Sequence, residues 1–305
     1  MIFTIAIPTY NRVDLLPRAL ESLEKQTFRD FEVLVVDDGS TDSTKELMGE
    51  YLKSSSFQIR YFYQENGGKH TALNKAIEEG RGDLFLILDS DDWFLPHTLE
   101  KLYETWTSLP KHDRDAYSGI MARTSTEEGV LIGKPFPEDP FITSYVDFHF
   151  NTGIKKGPFK DCVDFIRMDL LKKYRYPEPA DAKFVPEAYI TDQIGALYKL
   201  YGIPDVLKIV EYQAEGITRN IDAYKLKNAK GMVLYYEILL RKVFLESQTP
   251  VPVSSKVYIW MRYLEYQKML GNSVRFSEIS LLGKAVKVTS PFVQKAYKIR
   301  KKISS

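Results

Sequence analysis

Cysteine is almost missing from this chain: among 305 residues there is one, Cys162. No disulfide can form within the chain, which is the cysteine usage of a reducing compartment. Net charge is nearly missing as well, because 42 Lys and Arg stand against 41 Asp and Glu. A nucleic-acid protein would carry a clear basic excess, so that class is set aside. No apolar run approaches the roughly 18 residues that span a bilayer. The N-terminus enters a strand-like segment at once, without the pattern of a signal peptide, and the expected location is the cytoplasm. Glycine-rich phosphate cradles are also lacking. Neither G-x-x-x-x-G-K-[ST] nor G-x-G-x-x-G follows the first strand-like segment, which removes P-loop kinase and Rossmann dehydrogenase chemistry. There are no internal repeats and no low-complexity stretch.

Strands alternating with helices are what the first hundred residues do contain. Residues 2–8 form a short apolar run ended by Pro8, as a strand buried on both faces would. Residues 12–25 place Leu15, Leu16, Ala19, Leu20 and Leu23 at helical spacing. Further strands are expected at 33–36, 58–63 and 84–88, with helices over 42–53, 70–80 and from about Pro96. Such alternation, with the short strand-like pieces further on, predicts an α/β fold with a mixed, mainly parallel sheet flanked by helices. Ligands of open α/β sheets bind outside the carboxyl ends of the strands. Thr9-Tyr10-Asn11-Arg12, Asp37-Asp38 and Asp89-Ser90-Asp91 each follow a strand, so three sequence-distant polar clusters converge on one edge.

Each cluster has a chemistry and a plainer alternative. Asp89 and Asp91, two residues apart after a buried strand, would repel each other without a nearby cation. Their hard oxygens suit Mg²⁺ or Mn²⁺ completed by substrate phosphates; alternatively they cap the next helix. In Asp37-Asp38-Gly39-Ser40-Thr41-Asp42, one of Ser40, Thr41 or Asp42 is expected to start a helix. An acid before the glycine is then left to accept hydrogen bonds from a nucleobase or a ribose. Gly67-Gly68-Lys69-His70 permits close backbone approach, and Lys69 at a helix N-terminus favours phosphate; a plain turn with a solvated charge would look the same. Asn74, one turn on, is expected in the same pocket. The chain also holds 20 Tyr and 17 Phe, usable as stacking platforms for sugars but equally at home on an ordinary surface.

Taken together, IAIPTYNR, VLVVDDGSTDST, NGGKHTALNKAI and LFLILDSDDWF resemble family 2 glycosyltransferases of the GT-A fold, the group that includes many bacterial polysaccharide-building enzymes. The likeness is close over roughly the first hundred residues and looser to about residue 220. It implies a catalytic domain over 1–220, with a nucleotide-sugar half at 1–107 and an acceptor-side half at 108–220. It implies inverting transfer from a nucleotide-diphosphate sugar, a UDP-sugar being expected, to a hydroxyl of a glycan or lipid-linked glycan. Thr9, Tyr10, Arg12 and Asp38 are then nucleoside contacts, with Pro8, Gly68, Lys69, Asn74 and Ser90 in the same site. Asp89 faces the ribose, and Asp91 binds the Mn²⁺ or Mg²⁺ that bridges the diphosphate. The family's catalytic base lies in the more variable half, and Glu187, after Pro186, is the match. A glutamate at a helix start also satisfies dipole preference without catalysis, the family's paired acids are not evident there, and Asp192 and Asp161 stand in reserve. A nucleotide-sugar-binding module without catalysis and a sugar-phosphate nucleotidyltransferase are the competing functions. The second would be expected to carry a glycine-rich first loop, which is absent.

Beyond residue 115, strand-like pieces are expected at 130–132, 146–150, 163–167 and 206–212. Arg219, in Gly216–Asn220, is a candidate to offset phosphate charge. A helical extension is expected over 221–305, with helices at 222–247 and 255–270. From Lys284 onward seven Lys and Arg occur without an acid. Such a tail suits peripheral contact with the inner face of a membrane, or packing on the core, or an oligomer contact.

Overall fold

The computed structural model describes residues 1–152, 161–211, 213 and 221–274. The chain runs through β1 (Phe3–Thr9), α1 (Leu16–Glu24), β2 (Phe31–Asp37), α2 (Thr44–Ser54), β3 (Gln58–Tyr63), α3 (Lys69–Glu79) and β4 (Leu84–Ile87). Next come a two-residue β5 (Trp93–Phe94), α4 (Thr98–Ser108), β6 (Tyr117–Ser125), β7 (Phe141–Thr143), β8 (Cys162–Arg167) and β9 (Lys199–Ile209). These strands make one sheet in the order β3-β2-β1-β4-β8-β6-β9-β5, with β7 paired to β9. The architecture is the α/β sheet flanked by helices that the sequence predicts.

Every residue of β1 and β2 is buried, because helices cover both faces. Phe3, Ile5, Ile7, Val33 and Val35 pack with Leu16, Leu20 and Leu23 of α1 and with Leu99 and Leu102 of α4. The alternate residues Ala6, Leu34 and Val36 face Ala72, Leu73 and Ala76 of α3. This period of two within a continuous apolar run is what a doubly covered strand requires.

From β3 to β4 all pairings are parallel, whereas β8 pairs antiparallel with both β4 and β6. The sheet is therefore more evenly mixed than mainly parallel. The chain winds outward from β1 to β3 and returns to place β4 on the other side of β1. The β1/β4 boundary is the topological switch point, where open sheets leave a crevice.

Three expected elements differ, the first being the strand expected at 130–132, where Leu131 makes only a single bridge to Ser125. Residues 146–150, rich in aromatics and taken for a strand, are helical: Tyr145–Asp147 runs into a π-helical turn at Phe148–Thr152. Ser144 starts this segment by accepting a hydrogen bond from the Asp147 backbone, a capping signal that outweighs β propensity. The single helix expected at 222–247 is broken into Ile221–Lys227, Ala229–Ile238, a π-turn at Leu239–Val243 and Phe244–Glu246. The break lies at Asn228, whose side chain bonds both the Tyr224 carbonyl and the Lys183 N–H. Helices Ala229–Ile238 and Val253–Met269 share an apolar cluster with Val146, Phe150 and Ala196, so they lean on the part of the chain between residues 108 and 220. The segment Gly216–Asn220 and the basic tail lie outside the described residues. No helix among the described residues is long and apolar enough to cross a membrane.

Candidate active site

The loops that follow β1, β2 and β4 meet at the switch point and are laced together. The Asn11 side-chain oxygen accepts from Thr41 N at 2.8 Å, while Asn11 N donates to Ser40 Oγ at 2.8 Å. Asn11 holds φ 50°, a conformation that asparagine tolerates better than most residues. Asp42 bonds the backbone and hydroxyl of Thr44 and so starts α2. The two acids before Gly39 then divide their work. Asp37 is fully buried and accepts from Ser40 N and from the Tyr61 hydroxyl, so it is a turn pin. Asp38 faces the cleft and accepts from Gln64 Nε2, Gly67 N and Gly68 N at 2.8, 2.9 and 2.7 Å.

Asp38 thus folds the glycine loop against itself as well as lining the site. Gly68 has φ 99°, and a Cβ there would lie 2.1 Å from the Lys183 carbonyl. Only glycine lets this loop press onto the segment that leads to Glu187. At the start of α3, Lys69 Nζ reaches Asp89 Oδ1 at 2.5 Å and Glu187 Oε1 at 2.7 Å. The Glu187 side chain makes no cap bond to its own helix, Ala188–Gly195, although Glu187 is its N-cap residue. No cap bond engages this glutamate, whose carboxylate instead pairs with Lys69 and lines the cleft, although its place at the helix start still suits the helix dipole.

The Asp89 cluster does not cap a helix, because β5 intervenes before α4, whose N-cap position is His97. Burial alone would raise the Asp89 carboxyl, but the Lys69 and Lys208 ammoniums outweigh it and hold it below its ordinary value. Asp91 has no such partner: burial and the neighbouring Asp89 push it up, against weaker pulls from Arg12 and Lys69. Asp92 turns inward and pairs with Lys208 Nζ at 2.8 Å, both side chains being almost fully buried.

Eleven of the twelve expected site residues line one cleft of about 810 Å³: Pro8, Thr9, Tyr10, Arg12, Asp38, Gly68, Lys69, Asp89, Ser90, Asp91 and Glu187. Asn74 does not. Its amide bonds the Tyr176 backbone at both N–H and C=O and also reaches Glu178, so it ties α3 to the 174–178 segment. Thr9 Oγ1 is buried in the cleft without a partner among the described residues, an arrangement a bound polar ligand would relieve. Seven carboxylates and only three basic side chains line the cleft. An anionic diphosphate would be repelled there unless a cation accompanied it. Among the described residues no group of three His, Cys, Asp or Glu stands ready to hold a metal. The fit is to a cation bound by one or two carboxylates and completed by substrate phosphate, the habit of Mg²⁺ and Mn²⁺.

Behind Asp89, Asp161 and Glu187 a second cavity of about 370 Å³ opens from the cleft. Leu73, Ile77, Phe85 and Ile87 make it apolar on one side, while His149, Asp164, Thr191 and Lys208 make it polar on the other. The carboxyl of Asp164 is pushed up to about 6 by burial, against the bond from the Tyr145 hydroxyl. Of the reserve acids, Asp161 lines both cavities. Asp192 is fully buried, bonded to His149 and Tyr235, and borders neither. Sequence reading missed Lys208, Asp164 and His149. Lys208 had a visible signal, a lysine inside the apolar run VLKIV. His149 was hidden because its segment had the composition of a strand.

Residues 4–155 match the family model described as Glycosyl transferase family 2. An uncharacterised glycosyltransferase of Rickettsia typhi is 35% identical over 132 residues, which are 43% of this chain and 40% of the relative. The chain thus spans less than half of that relative's length. A Campylobacter jejuni protein named GalNAc(5)-diNAcBac-PP-undecaprenol β-1,3-glucosyltransferase is 23% identical over 278 residues, covering 90% of this chain and 76% of its own. In fold, the crystal structure of S. aureus TarS 1–349 in complex with UDP-GlcNAc is similar at TM-score 0.63 and 20% identity. That likeness covers 88% of this chain and 72% of TarS 1–349. The match of residues 4–155 to the family model places this chain in glycosyl transferase family 2.

Proposed function

We propose that this chain transfers a sugar, with inversion, from a nucleotide-diphosphate sugar to a hydroxyl of a glycan or lipid-linked glycan acceptor. The observation that carries this is the gathering of eleven residues from the ends of β1, β2 and β4, the glycine loop before α3 and the Glu187 loop around one cleft. The nucleoside lies along Tyr10 and Asp38, and Thr9 Oγ1 finds its missing partner there. UDP is the expected nucleotide, by analogy with the TarS complex. The undecaprenol-linked acceptor in the name of the C. jejuni relative favours a lipid-linked glycan.

Asp91 and Asp89 would hold a divalent cation, which when bound supplies positive charge to the diphosphate. The transferred sugar projects past Asp89 into the inner cavity, whose volume is that of a small-ligand pocket. Glu187 stands at the junction of cleft and cavity. As the acceptor oxygen bonds to the anomeric carbon, its proton passes to Glu187. The bond from that carbon to the diphosphate breaks, and its electron pair leaves with the diphosphate. Lys69 orients Glu187 and Asp89 together from one ammonium.

The test is a panel of nucleotide sugars screened for thermal stabilisation in Mn²⁺, followed by release of free nucleotide with and without acceptor. UDP-sugar binding with acceptor-dependent turnover is expected. Binding without turnover toward any hydroxyl acceptor, or the absence of binding, overturns the proposal.

A further inference from the structure

We propose that His149 reads the transferred sugar: its outward ring nitrogen hydrogen-bonds a hydroxyl or acyl oxygen of that sugar in the inner cavity, in an orientation fixed by Asp192 and Tyr235. This deepens the function proposed above and rests on the sugar's occupying that cavity.

The dyad is built in the manner of an oriented group. Asp192 is fully buried in helix Ala188–Gly195, one and a half turns after Glu187. Its two oxygens are both committed, one to His149 Nδ1 at 2.6 Å and the other to the Tyr235 hydroxyl at 2.8 Å. A buried carboxylate held at both oxygens fixes the ring that it meets. Because Nδ1 faces a carboxylate, it carries a proton, and Nε2 is left as the group presented elsewhere. His149 lines the inner cavity with 33% of its side chain exposed. Its Nε2 has no partner among the described residues. His149 sits in the π-turn Phe148–Thr152, a distortion that is frequent at functional sites.

A histidine placed only to satisfy Asp192 would have no reason to border a cavity that also contains Asp164, Glu187 and Thr191. Those three supply mainly acceptors, and a sugar hydroxyl both donates and accepts. Burial alone would discharge His149, yet the Asp192 carboxylate, with Asp164 beyond it, holds the imidazole above its ordinary value. With Nδ1 held by Asp192, Nε2 is the ring atom left to meet a sugar oxygen beside the carboxylates. The apolar side formed by Leu73, Ile77 and Phe85 suits the C–H face of the ring or an acyl methyl.

Two isosteric changes separate recognition from packing. In His149→Asn the amide takes the place of Nδ1 and keeps a donor on Asp192 while removing the group that faces the cavity. His149→Gln keeps an N–H near the position of Nε2 but gives up Asp192. The probes are UDP, UDP-glucose, UDP-galactose and UDP-N-acetylglucosamine, each titrated calorimetrically with Mn²⁺. For His149→Asn the expected result is unchanged UDP affinity, near-parental melting, and a loss of about 10- to 100-fold for the preferred UDP-sugar. That is the loss of one hydrogen bond involving a charged group. His149→Gln should recover part of it. If the Asn variant does not fold, Tyr235→Phe, which loosens Asp192, should weaken the UDP-sugar and leave UDP unchanged. A folded His149→Asn variant with parental affinity for every UDP-sugar overturns the inference while leaving the function standing. If the parent chain binds neither UDP nor any UDP-sugar, the function reading fails and takes the inference with it.

Discussion

Lys69 Nζ lies 2.7 Å from Glu187 Oε1, and the same ammonium bonds Asp89. One lysine therefore joins the carboxylate after β4 to the carboxylate proposed as base, 98 residues further along the chain. Both partners are partly exposed, so the net energy of either pair is modest. Its value is positional: two acids from different halves of the protein are held around one charge. The arrangement depends on Gly68, the residue before Lys69, whose lack of a side chain allows the loop to close on Lys183.

Asp38 carries both a structural and a ligand role, and its substitution should show both. Asp38→Ala leaves the N–H groups of Gly67 and Gly68 without their acceptor. A loss of about 1–3 kcal/mol of stability is expected from an unsatisfied buried donor. Binding of UDP alone should weaken along with that of UDP-sugar, because the contact is remote from the sugar. Weakening of the sugar-bearing donor only would move Asp38 out of the nucleoside site.

For the cation, the measurement is the extra thermal stabilisation that Mn²⁺ gives to UDP. In the parent, UDP at 100 times its dissociation constant should add about 2.7 kcal/mol, and Mn²⁺ should lower the concentration required. In Asp91→Asn that Mn²⁺ increment should vanish while the unliganded protein melts normally, since among the described residues the Asp91 side chain forms no ion pair and burial and Asp89 disfavour its charge. A full increment in the variant would remove Asp91 from the metal site.

How much of this was legible in the sequence depended on locality. The β1–β4 half has continuous apolar strands, helical spacing in α1, and polar clusters that end strands, so fold and donor cleft could both be read. Asn74 was misplaced because helical periodicity puts it near the glycine loop but does not reveal that Tyr176, 102 residues away, claims its amide. Asp192 stood in reserve as a base for the same reason, since only the tertiary structure encloses it between His149 and Tyr235. The inner cavity was invisible because β8, β9 and the helical segment after Ser144 each add one to three side chains to it, with no motif joining them.

Asp164 makes stability fall as pH rises. Its folded carboxyl titrates at about 6, above the ordinary value of about 3.9. The folded state thus holds more proton between about pH 4 and pH 6, and stability declines through that window as pH rises. His149 acts in the same direction. Its raised value gives stability that is complete below about pH 6.5 and is lost as pH climbs through the folded value. Denaturant midpoints measured at about pH 5 and about pH 7 should drop for the parent. Asp164→Asn should drop less, having lost one of the contributions, while raised Asp91, Asp92 and His149 keep theirs. Equal drops in both proteins would refute the assignment to Asp164.

Which carboxylate takes the acceptor proton is decided by comparing Glu187→Gln with Asp161→Asn and Asp192→Asn. Glu187 stands at the meeting of cleft and cavity, is tied to Lys69, and leaves its own helix uncapped. Asp161 also borders both spaces, but it lies 3.4 Å from Lys208, a lysine already paired with Asp92. Asp192 is enclosed and reaches the cavity only through His149. Glu187→Gln keeps shape and hydrogen-bonding capacity while removing the proton acceptor. UDP-sugar affinity should stay within a few-fold of the parent, and kcat should fall by about 10²–10⁴, the usual contribution of a general base. Asp161→Asn should cost far less in kcat, because a neutral amide can still meet Lys208. Asp192→Asn should act on UDP-sugar affinity more than on kcat, since it loosens His149. Should kcat survive in Glu187→Gln and collapse in Asp161→Asn, the base lies on the loop before β8 and Glu187 is only the partner of Lys69.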